Sequence, residues 1–263
     1  MPVTDRRVVL LTGASRGIGA HTARWLAAGG AHLALVARDA NALSRVGDDA
    51  RERGVEVLEL AGDITTAGAA ERFVAAVLDR FGRLDSLVNN AGIAGPVGHV
   101  ATVDLQQWRR TLETNLLAPI ALIQATASEL RKRAGTVINV TSEVADVASE
   151  SIEPYAGAKA ALRHLSRTLA DEEPQLTVIA YDPGPTDTEL MAEIRGQSTA
   201  TMTPTLSAAY HDLYESGSLV QPHDTARILA WLAISAPKAW SGRTIDHKET
   251  EAVIASHHML RAP

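Results

Sequence analysis

The chain has 263 residues, of which 46% are apolar and 21% charged, and its 31 acidic and 25 basic side chains leave a formal net charge of −6. That length suits one large domain with a sizeable core, and an acidic balance without a Lys/Arg run argues against a nucleic-acid or anionic-membrane surface. Cysteine is absent, which excludes disulfides, thiolate catalysis and Cys-based metal sites.

The opening stretch, MPVTDRRVVLLTGAS, carries basic residues before a short apolar run. The run is too short for a secretory signal and leads straight into a glycine turn, so a buried strand is expected there. No segment approaches the length of a bilayer span, and a cytoplasmic location is expected. Further strands are predicted after Val8–Leu11 at Leu33–Ala37, Val55–Leu60, Ser86–Val88, Thr136–Val140 and Leu176–Ala180. They are rich in Val, Leu and Ile with little in/out alternation, as expected where helices cover both faces of a sheet. Helical periodicity fills the intervals at Ile18–Ala28, Ala40–Arg53, Ala67–Arg80, Leu105–Arg131, Tyr155–Leu169 and Asp224–Ile234. This β-α alternation predicts an α/β fold, with a parallel, doubly wound sheet of about seven strands and right-handed crossovers. No repeat or linker divides residues 1–263, so one domain is expected. Pro183–Pro222 is the one irregular interval, and residues 184–221 are expected to form a substrate loop or lid.

Three features carry chemistry. The first strand ends in Thr12-Gly13-Ala14-Ser15-Arg16-Gly17-Ile18-Gly19, directly before a helix. Glycines allow a tight turn and close approach to a pyrophosphate, and the helix N-terminus offers free N–H groups. Taken alone, the turn equally fits a plain strand-to-helix connection. The second strand ends at Ala37-Arg38-Asp39. An acidic strand tip would bind a free ribose 2′-OH; here the tip is Ala37, and Arg38 with Arg16 suits a 2′-phosphate. Asp39 is expected to cap the next helix and point away, while a solvated surface role stays open for Arg38. Tyr155 and Lys159, four apart, share one helix face. An ammonium beside a phenol favours the phenolate, although this spacing also occurs in surface pairs.

Together these features resemble the short-chain dehydrogenase/reductase family over nearly the whole length. The matching segments are TGASRGIG at 12–19, Asp63, Asn89-Asn90-Ala91-Gly92, Asn115, Ser142, YAGAK at 155–159 and PGPTDT at 183–188, with thirteen residues from Ser142 to Tyr155. The resemblance implies a single-domain Rossmann fold that binds NADP(H), with NAD(H) as the weaker alternative. It implies Tyr155 as general acid/base, Lys159 on the nicotinamide ribose and lowering the tyrosine pKa, Ser142 on the substrate oxygen, and Asn115 in a water-linked relay. Gly13, Ser15, Arg16, Gly17, Ile18, Gly19 and Arg38 would hold the phosphates. Asp63 and Ile64 would contact the adenine, and Asn89 to Gly92 the adenosine ribose side. Pro183, Gly184, Thr186 and Thr188 would line the nicotinamide end. Pro119, four residues after Asn115, lacks the N–H that would bond the Asn115 carbonyl, so a kink and a freed carbonyl are expected.

The sequence also departs from the family pattern. The usual Gly-Gly after the last strand is replaced in SGRTIDHKETE, which leaves the subunit-contacting tail in doubt. Glu143 and Asp146, with Glu150 and Glu153, make an acidic stretch where small residues are usual; it suits either a solvated loop or a positive or hydroxyl-rich substrate. The segments PGPTDTELMAEIR, GSLVQP and SGRTID are loosely similar to the sepiapterin-reductase-like branch. His257-His258 has no metal-ligand spacing, and a disordered polar end is expected there; no metal is expected. The implied activity is NADPH-dependent reduction of a small-molecule ketone or aldehyde, reversible to alcohol oxidation. The alternatives are an NAD-dependent alcohol dehydrogenase and a non-catalytic NADPH sensor. A homodimer or homotetramer is expected, with no nucleic-acid or membrane partner.

Overall fold

The computed structural model describes residues 6–260; MPVTD of the opening stretch and both extremes of the 1–263 domain lie outside them. Seven parallel strands form one sheet in the order β3-β2-β1-β4-β5-β6-β7. They are β1 (Val8–Thr12), β2 (His32–Ala37), β3 (Val57–Ala61), β4 (Ser86–Asn89), β5 (Thr136–Val140), β6 (Thr177–Asp182) and β7 (Thr244–Asp246). Successive strand residues serve opposite faces. Val9 and Leu11 enter the core under α1 (Gly17–Ala28), α2 (Ala40–Arg51), α9 (Pro222–Ser235) and α10 (Thr250–Met259). Val8 and Leu10 enter the core under α3 (Ala69–Phe81), α5 (Ala118–Lys132) and α6 (Glu153–Glu172). Two buried faces explain the unbroken apolar runs.

The order reverses between β1, which leads to β2, and β4. At such a switch point the loops diverge beyond the strand ends and leave a crevice. Asp39 caps α2, accepting from the Ala42 N–H at 2.9 Å, so its charge is used there as expected.

Three elements differ from expectation. The predicted Leu105–Arg131 helix is broken into α4 (Leu105–Leu112), one π-helical turn at Glu113–Leu117, and α5. Pro119 causes this: without an N–H it can donate to neither residue 115 nor residue 114. Pro183–Pro222 is not irregular, because it folds into α7 (Glu189–Thr201) and α8 (Pro204–Glu215), capped by Thr188 and Thr203. The tail is not disordered either: His257 and His258 lie in α10, whose Ala252 and Ser256 are buried. No three-residue His/Asp/Glu cluster that could hold a metal occurs among the described residues, nor does any helix long and apolar enough to cross a membrane.

Candidate active site

A cleft of about 450 Å³ runs along the carboxyl ends of the strands, from Arg16 and Arg38 at one end to Tyr155 at the other. Its floor is the glycine turn. Gly13 has φ +67°, and a Cβ there would lie 2.8 Å from the Ala91 Cα. A Cβ on Gly19 would lie 2.1 Å from the Gly13 oxygen. No larger residue fits either place. The Thr12 hydroxyl accepts from the N–H groups of Asn90 and Ala91, both at 3.1 Å, and the Asn90 amide donates to the Thr12 oxygen at 2.9 Å. No side chain caps α1 and no acidic residue occupies its first turn, so the positive helix end faces the cleft.

At the outer end Arg16 and Arg38 are exposed, and neither joins an ion pair among the described residues. The Asp63 carboxylate accepts from the Thr65 N–H at 2.9 Å and hydroxyl at 2.8 Å. Those bonds hold its pKa below the usual carboxylate value, with a smaller push down from Arg38 and Arg110. The glycine cradle and the open helix end fit the pyrophosphate of a dinucleotide.

At the inner end α6 presents Tyr155, Lys159 and Arg163 on one face. The Ser142 hydroxyl faces the Tyr155 phenol across the cleft wall and pulls its pKa down. Burial dominates the phenol and pushes its pKa up to about 12, against the downward pull of Ser142. Lys159 was expected to lower it. Its ammonium instead donates to the Val140 oxygen at 2.7 Å, 5.6 Å from the Tyr155 ring centroid, and burial lowers its own pKa to about 8. Desolvation outweighs charge here: Lys159 is buried, and Tyr155 is half-buried in the cleft wall.

Sequence reasoning missed Arg163. It is 4% exposed and donates to the Ser142 carbonyl at 2.8 Å, to Asp182 at 3.0 Å, and to Asp146. Asp182 accepts in turn from the Gly184 N–H at 3.0 Å. One guanidinium therefore ties the ends of β5 and β6 to the helix carrying Tyr155. Its spacing, Tyr155 plus eight, was a legible sign of the same helix face.

The short chain dehydrogenase family profile matches residues 7–199. The chain belongs to the short-chain dehydrogenase/reductase family. It is 36% identical over 240 residues to cis-4-hydroxycyclohexanecarboxylate dehydrogenase of Sinomonas cyclohexanicum, covering 88% of this chain and 90% of that one. A short-chain dehydrogenase/reductase from Saccharomyces cerevisiae superposes with TM-score 0.89 at 29% identity, covering 97% of this chain and all of that one. Actinorhodin polyketide ketoreductase, solved with NADPH, superposes with TM-score 0.83 at 28% identity, covering 94% and 97%. As a member of this family the protein is an oxidoreductase acting on alcohol or carbonyl groups, and the family's cofactor is NAD(P)(H).

Nearly all the residues that the short-chain dehydrogenase/reductase resemblance pointed to line the cleft, Ser142, Tyr155, Lys159 and Gly184 among them. Two do not. The Asn89 amide is buried in the sheet and donates to Asn139 at 2.8 Å, so it cannot reach the cleft. Asn115 is fully buried and clamps Ile93, accepting from its N–H at 2.9 Å and donating to its carbonyl at 2.8 Å. Both arms of that amide are used, which leaves the cleft wall there to Thr114. The tail is tied to the site as well. His247, after β7, packs where a Cβ on Gly184 would fall, 2.3 Å from its ring.

Over the inner end α7 and α8 form a roof. Leu190, Met191, Ile194, Leu206 and Tyr210 line it, while Met202 is buried behind them and Tyr214 lies under Arg195, 3.9 Å from the ring centroid. Of the acidic stretch, Asp146 pairs with Arg163, and Glu150 accepts from the Thr203 N–H at 2.8 Å and from its hydroxyl.

Proposed function

We propose that the protein is an NADP(H)-dependent carbonyl reductase, reversible to alcohol oxidation, with α7 and α8 as the lid over its substrate. One observation carries this reading: a half-buried tyrosine beside Ser142, with Lys159 one turn on, shares a cleft with two unpaired arginines. The nicotinamide, when bound, supplies the hydride to the carbonyl carbon. Ser142 donates to the substrate oxygen and holds it beside Tyr155. A phenol is protonated at neutral pH, and Tyr155 transfers that proton to the oxygen as negative charge develops there. Lys159 uses one donor on the Val140 carbonyl and has two left for ribose hydroxyls. Its nearby positive charge favours the phenolate left behind. Asn115 acts through its carbonyl, which Pro119 cannot engage, as the seat of a water that returns the proton. Its side chain holds the loop after β4 in position at Ile93.

NADP(H) rather than NAD(H) is favoured by Ala37 at the strand tip, by Arg16 and Arg38, and by the use of Asp39 as a cap. The test is kcat/KM for both cofactors with a ketone substrate. Arg38→Ala should weaken NADPH by about tenfold, the low end for a charge-assisted bond because this guanidinium is exposed. NADH should be nearly indifferent to that change, and Ala37→Asp should shift preference toward NADH. Equal loss for both cofactors, or a wild type that prefers NADH, would put the NAD-dependent alcohol dehydrogenase ahead.

A further inference from the structure

The acidic stretch after β5 divides into used and unused charges. Asp146 is taken by Arg163, and Glu150 by Thr203 at the start of α8. Glu153 lies in the first turn of α6, where a carboxylate suits the helix dipole. Glu143 alone lines the cleft, and no basic side chain pairs with it among the described residues.

Glu143 itself is exposed, and the roof beside it is apolar. Val144, Leu190, Leu206 and Tyr210 pack on a buried cluster that includes Ile152 and Ile194. Tyr210 brings the roof's phenolic hydroxyl to the same side, where burial and the Glu143 charge both push its pKa up. The cleft's cations are directed elsewhere. Arg16 and Arg38 lie at the opposite end, Lys159 is turned to Val140, and Arg163 is held between Asp146 and Asp182. His247 is close enough to feel Glu143, but burial lowers its pKa and disfavours a positive charge there. Of the other two cleft carboxylates, Glu189 lies by Gly17 and Asp63 lies at the far end near Arg38, and both add negative charge.

We infer that the substrate is a carbonyl compound with an apolar body and an uncharged or cationic hydrogen-bond donor, received by Glu143 and Tyr210, and that anionic substrates are rejected. The inference rests on the carbonyl-reductase reading. A carboxylate accepts hydrogen bonds and cannot donate them. A hydroxyl or amino group therefore completes the contact, whereas an anion meets like charge with no local cation to offset it.

The experiment compares 4-(hydroxymethyl)cyclohexanone with 4-oxocyclohexanecarboxylate, two ring ketones of similar size, as substrates with NADPH at pH 7. Calorimetric titration of the same pair onto the NADP+-loaded protein reads affinity without turnover. Wild type should favour the hydroxymethyl ketone by about three- to tenfold in kcat/KM, the modest effect of an exposed charge, and Glu143→Gln should bring that ratio down to about one. Tyr210→Phe should weaken the hydroxymethyl ketone several-fold. A wild-type ratio near one, a preference for the carboxylate, or the same ratio in Glu143→Gln overturns the inference, as does failure of both ketones to bind. Charge preference in the titration without turnover of either ketone would support the inference and count against carbonyl reduction.

Discussion

The floor and the roof of the cleft are held by different physics. On the floor the polar groups are bound in several directions at once. Thr12 takes two backbone N–H groups, Asn115 closes both arms on Ile93, and Arg163 reaches the ends of two strands. The roof is two short helices joined to the body by a few polar links. These are Glu150 to Thr203, the Ser151 hydroxyl to the Thr201 oxygen at 2.8 Å, and a single bridge between Thr186 and Val220. Ser151 itself has φ 67°, an uncommon conformation for a non-glycine residue. A floor determined this many times fixes where reacting atoms sit, whereas the roof has few polar links and rests mainly on an apolar cluster that joins Ile194 and Met202 to Ala94, Val97 and Ile152.

The largest way to break the floor alone is Tyr155→Phe. It should keep the fold and NADPH affinity and lower ketone reduction about 10²- to 10⁴-fold, measured by steady-state kinetics beside cofactor titration. The pH dependence has a definite sign. The phenol, pushed up to about 12, stays protonated at neutral pH, so reduction should vary little from pH 6 to 8. Alcohol oxidation needs the phenolate, and its kcat/KM should rise by up to about tenfold per pH unit until the phenol pKa of the enzyme–NADP+ complex is reached.

Arg163 comes next. Arg163→Met strips the countercharge from buried Asp182 and should cost about 3–5 kcal/mol of stability by denaturant melts. Arg163→Lys keeps a charge near Asp182 but cannot also hold the Ser142 carbonyl with a planar fork. It should fold, with kcat down about tenfold and cofactor affinity little changed; a loss confined to stability would reduce Arg163 to a packing role. The smallest effect is expected from Pro119→Ala, which returns a backbone donor to the π turn. It should lower kcat a few-fold and raise stability by at most about 3 kcal/mol; an unaltered kcat would leave Pro119 with only a bending role.

The floor was legible in the sequence because its constraints act on residue type at fixed spacing. Only glycine fits at 13 and 19, and only i,i+4 spacing sets Lys159 beside Tyr155. Asn89 misled because its neighbours in the motif face the cleft, while strand alternation turns its own side chain toward Asn139. The Tyr155 pKa misled because burial, a tertiary quantity, outweighs a charge that the spacing does display. The roof was missed for another reason. α7 carries Gly196 and several Ser/Thr residues, so its periodicity is weak and its helical state depends on tertiary packing. Thr203-Pro204 and Gln221-Pro222 were available start signals, since proline favours the first helical turn.

The central claim is that a hydride passes from NADPH to a carbonyl carbon in this cleft with Tyr155 supplying the proton. Ketone reduction with NADPH deuterated at the transferable C4 position tests it most directly. The account predicts an alcohol product carrying one deuterium on the carbinol carbon, formed by wild type and reduced at least a hundredfold in rate with Tyr155→Phe. An unlabelled product, or equal rates from both proteins, would contradict it.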